Sequence, residues 1–518
     1  MVVDNTPEVK TTSKVTQCLQ VLLDLSREYG FEGQFKLTST EQHWSTLVAG
    51  ADGNWMKVVK YKLAAFYSYH RNQPLPEAPF RGVPDLPGVL FGGKVGRFHA
   101  LLLKRSSSQV VASFLTSILQ SKKGMPRAGK EALKHAEREL IRELHIKPEV
   151  KRVESLVPWG DVESLHPRIS ITLSREEFKK QLKRRVHELF GGHEYSMHDR
   201  IQAIFPSTAA HYSSSTKQGG AVGAILRHPE LLRGLRVAGG HIKLKTSTQE
   251  EIEDEGRVKA DMDYTDFDDA WATLWFRMLE ETDNESGLNN IVKPVALAEA
   301  LKIRVITKGP VFTQTVLKGI QRKMWRILST HPAFQLIGHG KVDSKYMLDR
   351  LGSLLREKEG YLSGDYASAT NKLESWVSET TVNAVCDELK IFGTERNRFL
   401  ANLTGNFLDA EAFFPVKQET GQLMGAVTSF PILCIANATA SSWAWELDSK
   451  KLVTLKDWPG MINGDDIAMK CTTRGVEAWR QITKFIGLEE SVGKTYYSSE
   501  FVNINSTNFE RDVENPII

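Results

Sequence analysis

Two short stretches place carboxylates where a metal ion would be useful. Met461-Ile462-Asn463-Gly464-Asp465-Asp466-Ile467-Ala468-Met469 sets two adjacent acids at a turn between apolar runs, the pattern of a hairpin. Adjacent carboxylates in a tight turn repel, and a divalent cation relieves that repulsion. A solvated Gly-Asp turn has the same tripeptide, which alone does not choose between them. Upstream, Tyr361-Leu362-Ser363-Gly364-Asp365-Tyr366-Ala367 reads as a strand end delivering Asp365 just before a helix that begins near Ala369. Two strands then present Asp365 and Asp465 to one site. Two ions, Mg2+ or Mn2+, held about 3.5–4 Å apart there would suit nucleotidyl transfer, one activating a hydroxyl and the other holding a triphosphate and the leaving oxygen.

Between these acids, Gly421-Gln422-Leu423-Met424-Gly425-Ala426-Val427-Thr428-Ser429-Phe430-Pro431 is a glycine-bearing loop leading into a helix-like run at 432–440. Gly425 lets backbone approach a ligand, and Ser429 and Asn437 offer neutral groups able to read a ribose 2′-hydroxyl. The same run also reads as a loop packed under a helix. Farther upstream, residues 299–309 alternate cations with apolar residues. On a strand this sends Lys302, Arg304 and Lys308 to one side, suited to phosphate neutralisation or simply solvated. Lys318, Arg322, Lys323 and Arg326 follow on a helix with no acid among them, which favours a polyanion channel.

The elements that must position these groups are legible in outline. The 518 residues exceed a single core, and 41% apolar with 25% charged residues describes a folded chain rather than a disordered or fibrous one. Lys+Arg 67 against Asp+Glu 63 leaves +4, so any polyanion partner must be met by local patches. Helical spacing of Val15, Cys18, Leu19, Leu22 and Leu25, and of Val110, Val111, Phe114, Leu115, Ile118 and Leu119, predicts core-facing helices. The Pro- and Gly-rich stretch 72–96 predicts an ordered surface loop. Ser174 and Glu177 predict a capped helix carrying Lys179, Lys180, Lys183, Arg184 and Arg185, a basic run that is either a solvated face or a binding surface. The acidic run 250–269 lacks calcium-loop spacing and reads as a solvated loop. Cys18, Cys386, Cys434 and Cys471 lie too far apart for a zinc or disulfide framework. Residues 1–12 are polar and no apolar run reaches 18 residues, so the expectation is a soluble, cytoplasmic protein with no membrane span.

A basic strand, an Asp-bearing strand, a glycine loop, a Gly-Asp-Asp hairpin and then a lysine, in that order, resemble the viral RNA-dependent RNA polymerases. Residues 302–308 look like their motif F, 363–373 motif A, 421–437 motif B, 462–467 motif C, 487–494 motif D and 501–506 motif E. Lys122-Lys123-Gly124-Met125-Pro126, Pro206-Ser207 with Gly219-Gly220, His331-Pro332-Ala333-Phe334, and Met424-Gly425 with Ser429-Phe430-Pro431 are similar to the ourmia-like (botourmiavirus) group, relatives of the narnaviruses. The resemblance covers about residues 110–508.

The resemblance implies an α/β right-hand fold with fingers and palm, the palm sheet being of the RNA-recognition-motif type. It divides the chain into an N-terminal helical region packing on the fingers (1–165), fingers (166–350), and palm (351–518) with a fingers insertion near 375–415. It makes Asp365 and Asp465 metal ligands for two ions and Asp466 an accessory acid. Lys302, Arg304 and Lys308 would face the incoming nucleotide, and Lys494 would protonate the leaving pyrophosphate. Ser207, Lys217, Gly219 and Gly220, with Lys318, Arg322 and Lys323, would meet template RNA. NTPs and an RNA template and product are the implied partners. The family usually carries an Asp, its ribose-sensing carboxylate, where this chain has the amide Asn371, and often an Asn where it has Leu433, with Asn437 one turn later. Ile518 follows motif E by a dozen residues, so the expectation is a thumb that is short or missing: the chain is cut before it, a partner or host protein supplies it, or residues 1–165 do part of its work. Two rival readings remain: a reverse transcriptase-like polymerase, against which Gly464 stands, and a non-catalytic RNA-binding remnant of an integrated viral polymerase.

Overall fold

In the computed structural model, residues 7–31, 37–149, 151, 154–156, 165–203, 207–237, 241–244, 260–263, 267–284, 290–337, 342–353, 358–411 and 414–511 are described. Pro206, most of the acidic run 250–269 and Ile518 lie outside them. Apolar residues three and four apart build helices α1 (Pro7–Glu28), α2 (Trp55–His70) and α3 (Ser108–Gln120). Val15, Cys18, Leu19, Leu22, Phe66, Phe114 and Leu115 meet in one core, each at most 1% exposed. Val110 falls outside the stripe: in the first turn of α3 it lies beyond the edge of that core and is 40% exposed. The expected loop holds from 72 to 92, where a helix, Gly93–Arg105, takes over. Next comes α4 (Lys130–His145).

Helix α5 (Arg175–Phe190) starts as its cap predicts, Ser174 Oγ accepting from the Glu177 N–H at 3.2 Å. Only half of the capping box forms, because the Glu177 carboxylate instead accepts from Gln181 at 2.7 Å. The basic run on α5 divides. Lys179 and Lys180 pair with acids one turn away, whereas the guanidinium of Arg185, 1% exposed, and that of Arg184 reach Glu446 at 3.0 and 2.6 Å. A short helix, α6 (Met197–Gln202), follows.

Strands β1 (Ile291–Glu299) and β2 (Lys302–Lys308) form an antiparallel hairpin with Glu299 opposite Lys302. Beyond it lies α7 (Lys318–Thr330). The acids belong to an antiparallel sheet made of β3 (Glu359–Gly364), β4 (Gly460–Asn463), β5 (Asp466–Thr472) and β6 (Tyr496–Ser498), in the order β4-β5-β3-β6. Every residue of β3 is buried, as a central strand covered on both faces must be. The period of two sorts the side chains: Leu362, Ile462, Ile467 and Met469 enter the main core, while Tyr361, Met461 and Ala468 enter a smaller one on the other face.

Helix α8 (Ser429–Ser449), apolar on nearly every side, is the buried centre of the main core. Pro431 sits in its first turn, where a missing N–H costs no helical hydrogen bond. Helix α9 (Thr473–Phe485) follows β5. Strands β7 (Phe501–Ile504) and β8 (Thr507–Glu510) form the last hairpin. The N-terminal helices dock here. The Tyr67 ring lies 5.1 Å from Tyr496, its hydroxyl accepts from Asn508 at 2.9 Å, and Arg71 pairs with Glu510 at 2.7 Å. Toward residues 166–350 their core takes in Leu301, at the turn between β1 and β2. The whole is a mixed α/β assembly of helices and small sheets, and no helix among the described residues is long and apolar enough to cross a membrane.

Candidate functional site

Register brings the acids together. Ile467 pairs with Gly364 and Tyr496 with Ser363, so Asp365, just past the end of β3, stands one step on from Ile467 against Asp466 and two steps on from Tyr496 beside Lys494. Asp365 is held by its backbone: its N–H donates to Thr495 Oγ1 at 3.3 Å, and its carbonyl accepts from the Ser491 N–H at 2.8 Å. Across the β4–β5 hairpin Asn463 faces Asp466, leaving Gly464-Asp465 as a two-residue turn. Gly464 has φ +68°, which glycine adopts at no steric cost, and a Cβ there would come within 2.7 Å of the Phe430 ring. The Asn437 amide fixes the same turn, donating to the Gly464 carbonyl at 3.0 Å while its oxygen accepts from the Tyr366 hydroxyl at 2.7 Å.

The electrostatics follow from this crowding. Loss of water, then repulsion from Asp465 and Asp365, pushes the Asp466 carboxyl up to about 7. The same two causes, with Asp365 as the neighbour, raise Asp465, although that residue keeps an exposed edge at the turn. Lys494 Nζ donates to Asp365 Oδ2 at 2.7 Å. Burial alone would lower the Lys494 ammonium, but Asp365 and then Asp465 and Asp466 outweigh it and raise it. Lys302, exposed at the start of β2, is lowered by partial loss of water and then by Arg304, and feels both Lys494 and Asp465. Carboxylate oxygens that repel one another are the right donors for a hard divalent ion. Among the described residues, however, no three His, Cys, Asp or Glu side chains stand close enough to hold one as they are. Lys494 is the cation that Asp365 now binds.

The glycine loop packs directly on β2. A Cβ on Gly425 would meet the Thr307 carbonyl oxygen at 1.8 Å, and Gln314 Nε2 donates to the Gly425 carbonyl at 3.1 Å. Arg304 pairs with Glu299 at 3.0 Å and points its other arm to Met424 Sδ at 3.9 Å. Lys308 is half-buried farther along β2. Ser429 and Asn437 are buried, Ser429 receiving a hydrogen bond from Gln422 at 3.1 Å. Asn437 therefore supports the turn from beneath. Asn371 donates to the Glu143 carboxylate of α4 at 2.9 Å.

The cations expected to meet RNA sit apart from this cluster. Ser207, the 3-10 turn of Lys217, Gly219 and the helix start at Gly220 belong to a segment joined to the end of β2 through the Tyr212 N–H and the Gly309 carbonyl, 3.0 Å apart. Gly219 and Gly220 both have positive φ, and Lys217 is exposed. On α7 the acid missing from the local sequence arrives from α6: Asp199 pairs with Lys323 at 3.2 Å and Arg326 at 3.5 Å. Burial would raise Asp199, but the Ser196 N–H and Lys323 hold it below the usual carboxylate range. Arg322 donates to the Gln202 carbonyl at 2.8 Å, and Lys318 is lowered to about 8 by burial and Arg322. Sequence reasoning singled out neither Lys60 nor Asp199 and noted Lys122 only for its likeness to a family. No local spacing signals their positions.

No family model matches the chain. It is 28% identical over 352 residues to the RNA-dependent RNA polymerase of Ourmia melon virus (isolate Melon/Iran/VE9), a match covering 64% of this chain and 39% of that protein. The chain thus spans about two fifths of the length of the curated relative it matches. With the acid-bearing sheet, the turn and the lysine in the order set out above, the chain is similar to the RNA-dependent RNA polymerase of an ourmia-like virus.

Proposed function

We propose that this chain is an RNA-dependent RNA polymerase that builds RNA from NTPs on an RNA template, in replication of a viral genome. The observation that carries the reading is the convergence of Asp365, Asp465 and Asp466 beside Lys494 and Lys302, from four separate segments of a chain that matches a polymerase. In this reading the β4-β5-β3-β6 sheet is the palm, β1 and β2 with α7 belong to the fingers, and residues 1–165 brace both. Asp365 and Asp465, with Asp466 in support, are the residues that would hold two ions, Mg2+ or Mn2+. Bound there, the ions would lower the pKa of the attacking hydroxyl and stabilise the leaving pyrophosphate. Lys494, held beside Asp365 at 2.7 Å, would be the proton donor where negative charge develops on the leaving group. Lys302 and Arg304 meet the incoming nucleotide, and Asn437 and Gly464 keep the acidic turn rigid. The setting is the host cytoplasm.

Primer extension on an RNA template, with labelled NTP or dNTP and with or without Mg2+ or Mn2+, tests this. The expected result is metal-dependent NTP incorporation that Asp465→Asn reduces at least about a hundredfold, because a metal ligand stabilises the transition state far more than the bound ground state. RNA binding and thermal stability should stay near those of the parent. Undiminished incorporation by Asp465→Asn would end the two-metal assignment, and dNTP preference would shift the reading to reverse transcription.

A further inference from the structure

The N-terminal helices bring two lysines to the carboxylate site. Lys122 lies in a turn, Ser121–Gly124, that continues α3. The segment just after it is pinned to the β1–β2 turn: the Pro126 carbonyl accepts from the Leu301 N–H at 3.2 Å, and Arg127 bridges to Ala300. Lys302 is the next residue after that turn. Lys60 stands on α2, the helix whose Tyr67 packs against Tyr496 at 5.1 Å, two residues from Lys494. Below the same helix, Pro76 fills the space beside Gly493, where an added Cβ would come within 2.5 Å of it. Both lysines are thereby fixed by contacts to the segments that carry Lys302 and Lys494.

The four ammonium groups lie within one another's field. Lys122 is lowered to about 8 by burial, then by Lys494 and Lys60, with Asp365 opposing and Lys302 adding to the effect. Lys60, which keeps water contact, is also lowered to about 8, by partial loss of water and then by Lys494, Lys302 and Lys57. Among the described residues neither Lys60 nor Lys122 makes an ion pair with a carboxylate. Compact point charges that repel one another call for a dense anion. An RNA backbone, with one charge per nucleotide, meets a row of cations better than a convergence of them.

Resting on the polymerase reading, we propose that Lys60 and Lys122 form with Lys302 a polyphosphate subsite, which takes the triphosphate of the incoming nucleotide and the pyrophosphate it becomes. The N-terminal helices are then part of the nucleotide site as well as a brace for the sheet.

Calorimetric binding of inorganic tripolyphosphate to the full chain tests the subsite without requiring catalysis, with single-stranded RNA as the second ligand. Lys60→Met and Lys122→Met should each weaken tripolyphosphate binding about tenfold, the loss of one charge-assisted contact. Lys122→Arg should retain most of the affinity, and RNA affinity should change less than about twofold. In extension assays the same variants should raise KM for NTP more than they lower kcat. Failure of the parent to bind tripolyphosphate, unchanged binding in the double variant, or a parallel fall in RNA affinity would each overturn the proposal. The parallel fall would assign the lysines to RNA instead. If the double variant does not fold, Lys60→Met, a change at an exposed position, decides alone. Lysine-dependent tripolyphosphate binding in a chain without extension activity would keep the subsite and sink the polymerase reading.

Discussion

Around Asp365, the cations Lys302 and Lys494 stand with Lys60 and Lys122 against three converging carboxylates, whereas on α7 Lys323 and Arg326 share one carboxylate, Asp199. In the first region the charges come from six separate segments, and Asp466 is pushed up to about 7. In the second the acid is held below its usual range and the cations are committed to it. Cations crowded by other cations, as Lys60, Lys122 and Lys302 are, stay available to a ligand, whereas cations gathered around a lone acid are committed to it. A frustrated cluster marks a place for a ligand or metal, and a satisfied pair marks a joint between helices.

The sharpest break of that comparison sets Lys494→Met against Lys323→Met in one extension assay. If Lys494 is the proton donor proposed above, its removal should cost about a hundredfold or more in incorporation. Lys323→Met should change rate little and instead lower the melting temperature, because it leaves Asp199 short of a partner. Equal rate losses would show that the two regions do not differ in kind.

A smaller effect is expected from Asp199→Asn, which frees Lys323 and Arg326 for phosphate. The log-log salt dependence of single-stranded RNA binding should steepen by about 0.7 for each cation that then contacts a phosphate. An unchanged slope would leave α7 a structural joint with no access to RNA.

The pH dependence of Asp466 comes next. Its folded-state pKa, about 7, lies above the ordinary 3.8, so folding favours the protonated form. The stability this gives is fully present below about pH 4 and is lost as pH rises through 7. Asp466→Asn escapes that loss, so its melting temperature relative to the parent should climb between pH 4 and 7 and then level off. Added Mg2+ should shrink the gap by stabilising the parent's carboxylates. A difference that stays flat with pH would mean that Asp466 is not crowded by its neighbours.

The smallest change is expected at Asn371. Because Glu143 already stands 2.9 Å from the Asn371 amide, Asn371→Asp sets two carboxylates face to face. The preference for NTP over dNTP should move by less than about fivefold, the most that an exposed charge pair of about 1 kcal/mol supplies. Pairing the change with Glu143→Gln removes the repulsion, and a large gain in discrimination in that double variant would restore Asn371 as the sugar-reading position.

The sequence by itself determined what depends on neighbours a few residues away. Alternation and a glycine marked the hairpin at Gly464-Asp465-Asp466, a strand end marked Asp365, and three-four spacing marked α1 and α3, because backbone sterics and the period of burial are local properties. Val110, on the spacing yet at the edge of its core, shows the limit of that rule: a stripe says which face is apolar and not where the facing surface ends. Only the tertiary structure decided that β3 lies between β5 and β6, setting Asp365 between Asp466 and Lys494. It also buried Asn437 beneath the turn, brought Asp199 to α7, turned Glu143 toward Asn371, and carried Lys60 and Lys122 from the N-terminal region to Lys302 and Lys494. Each of these is a matter of charge or hydrogen-bond compensation between residues far apart in the chain. Coulomb energy depends on distance in space and on the water excluded around it, and neither is written in sequence spacing.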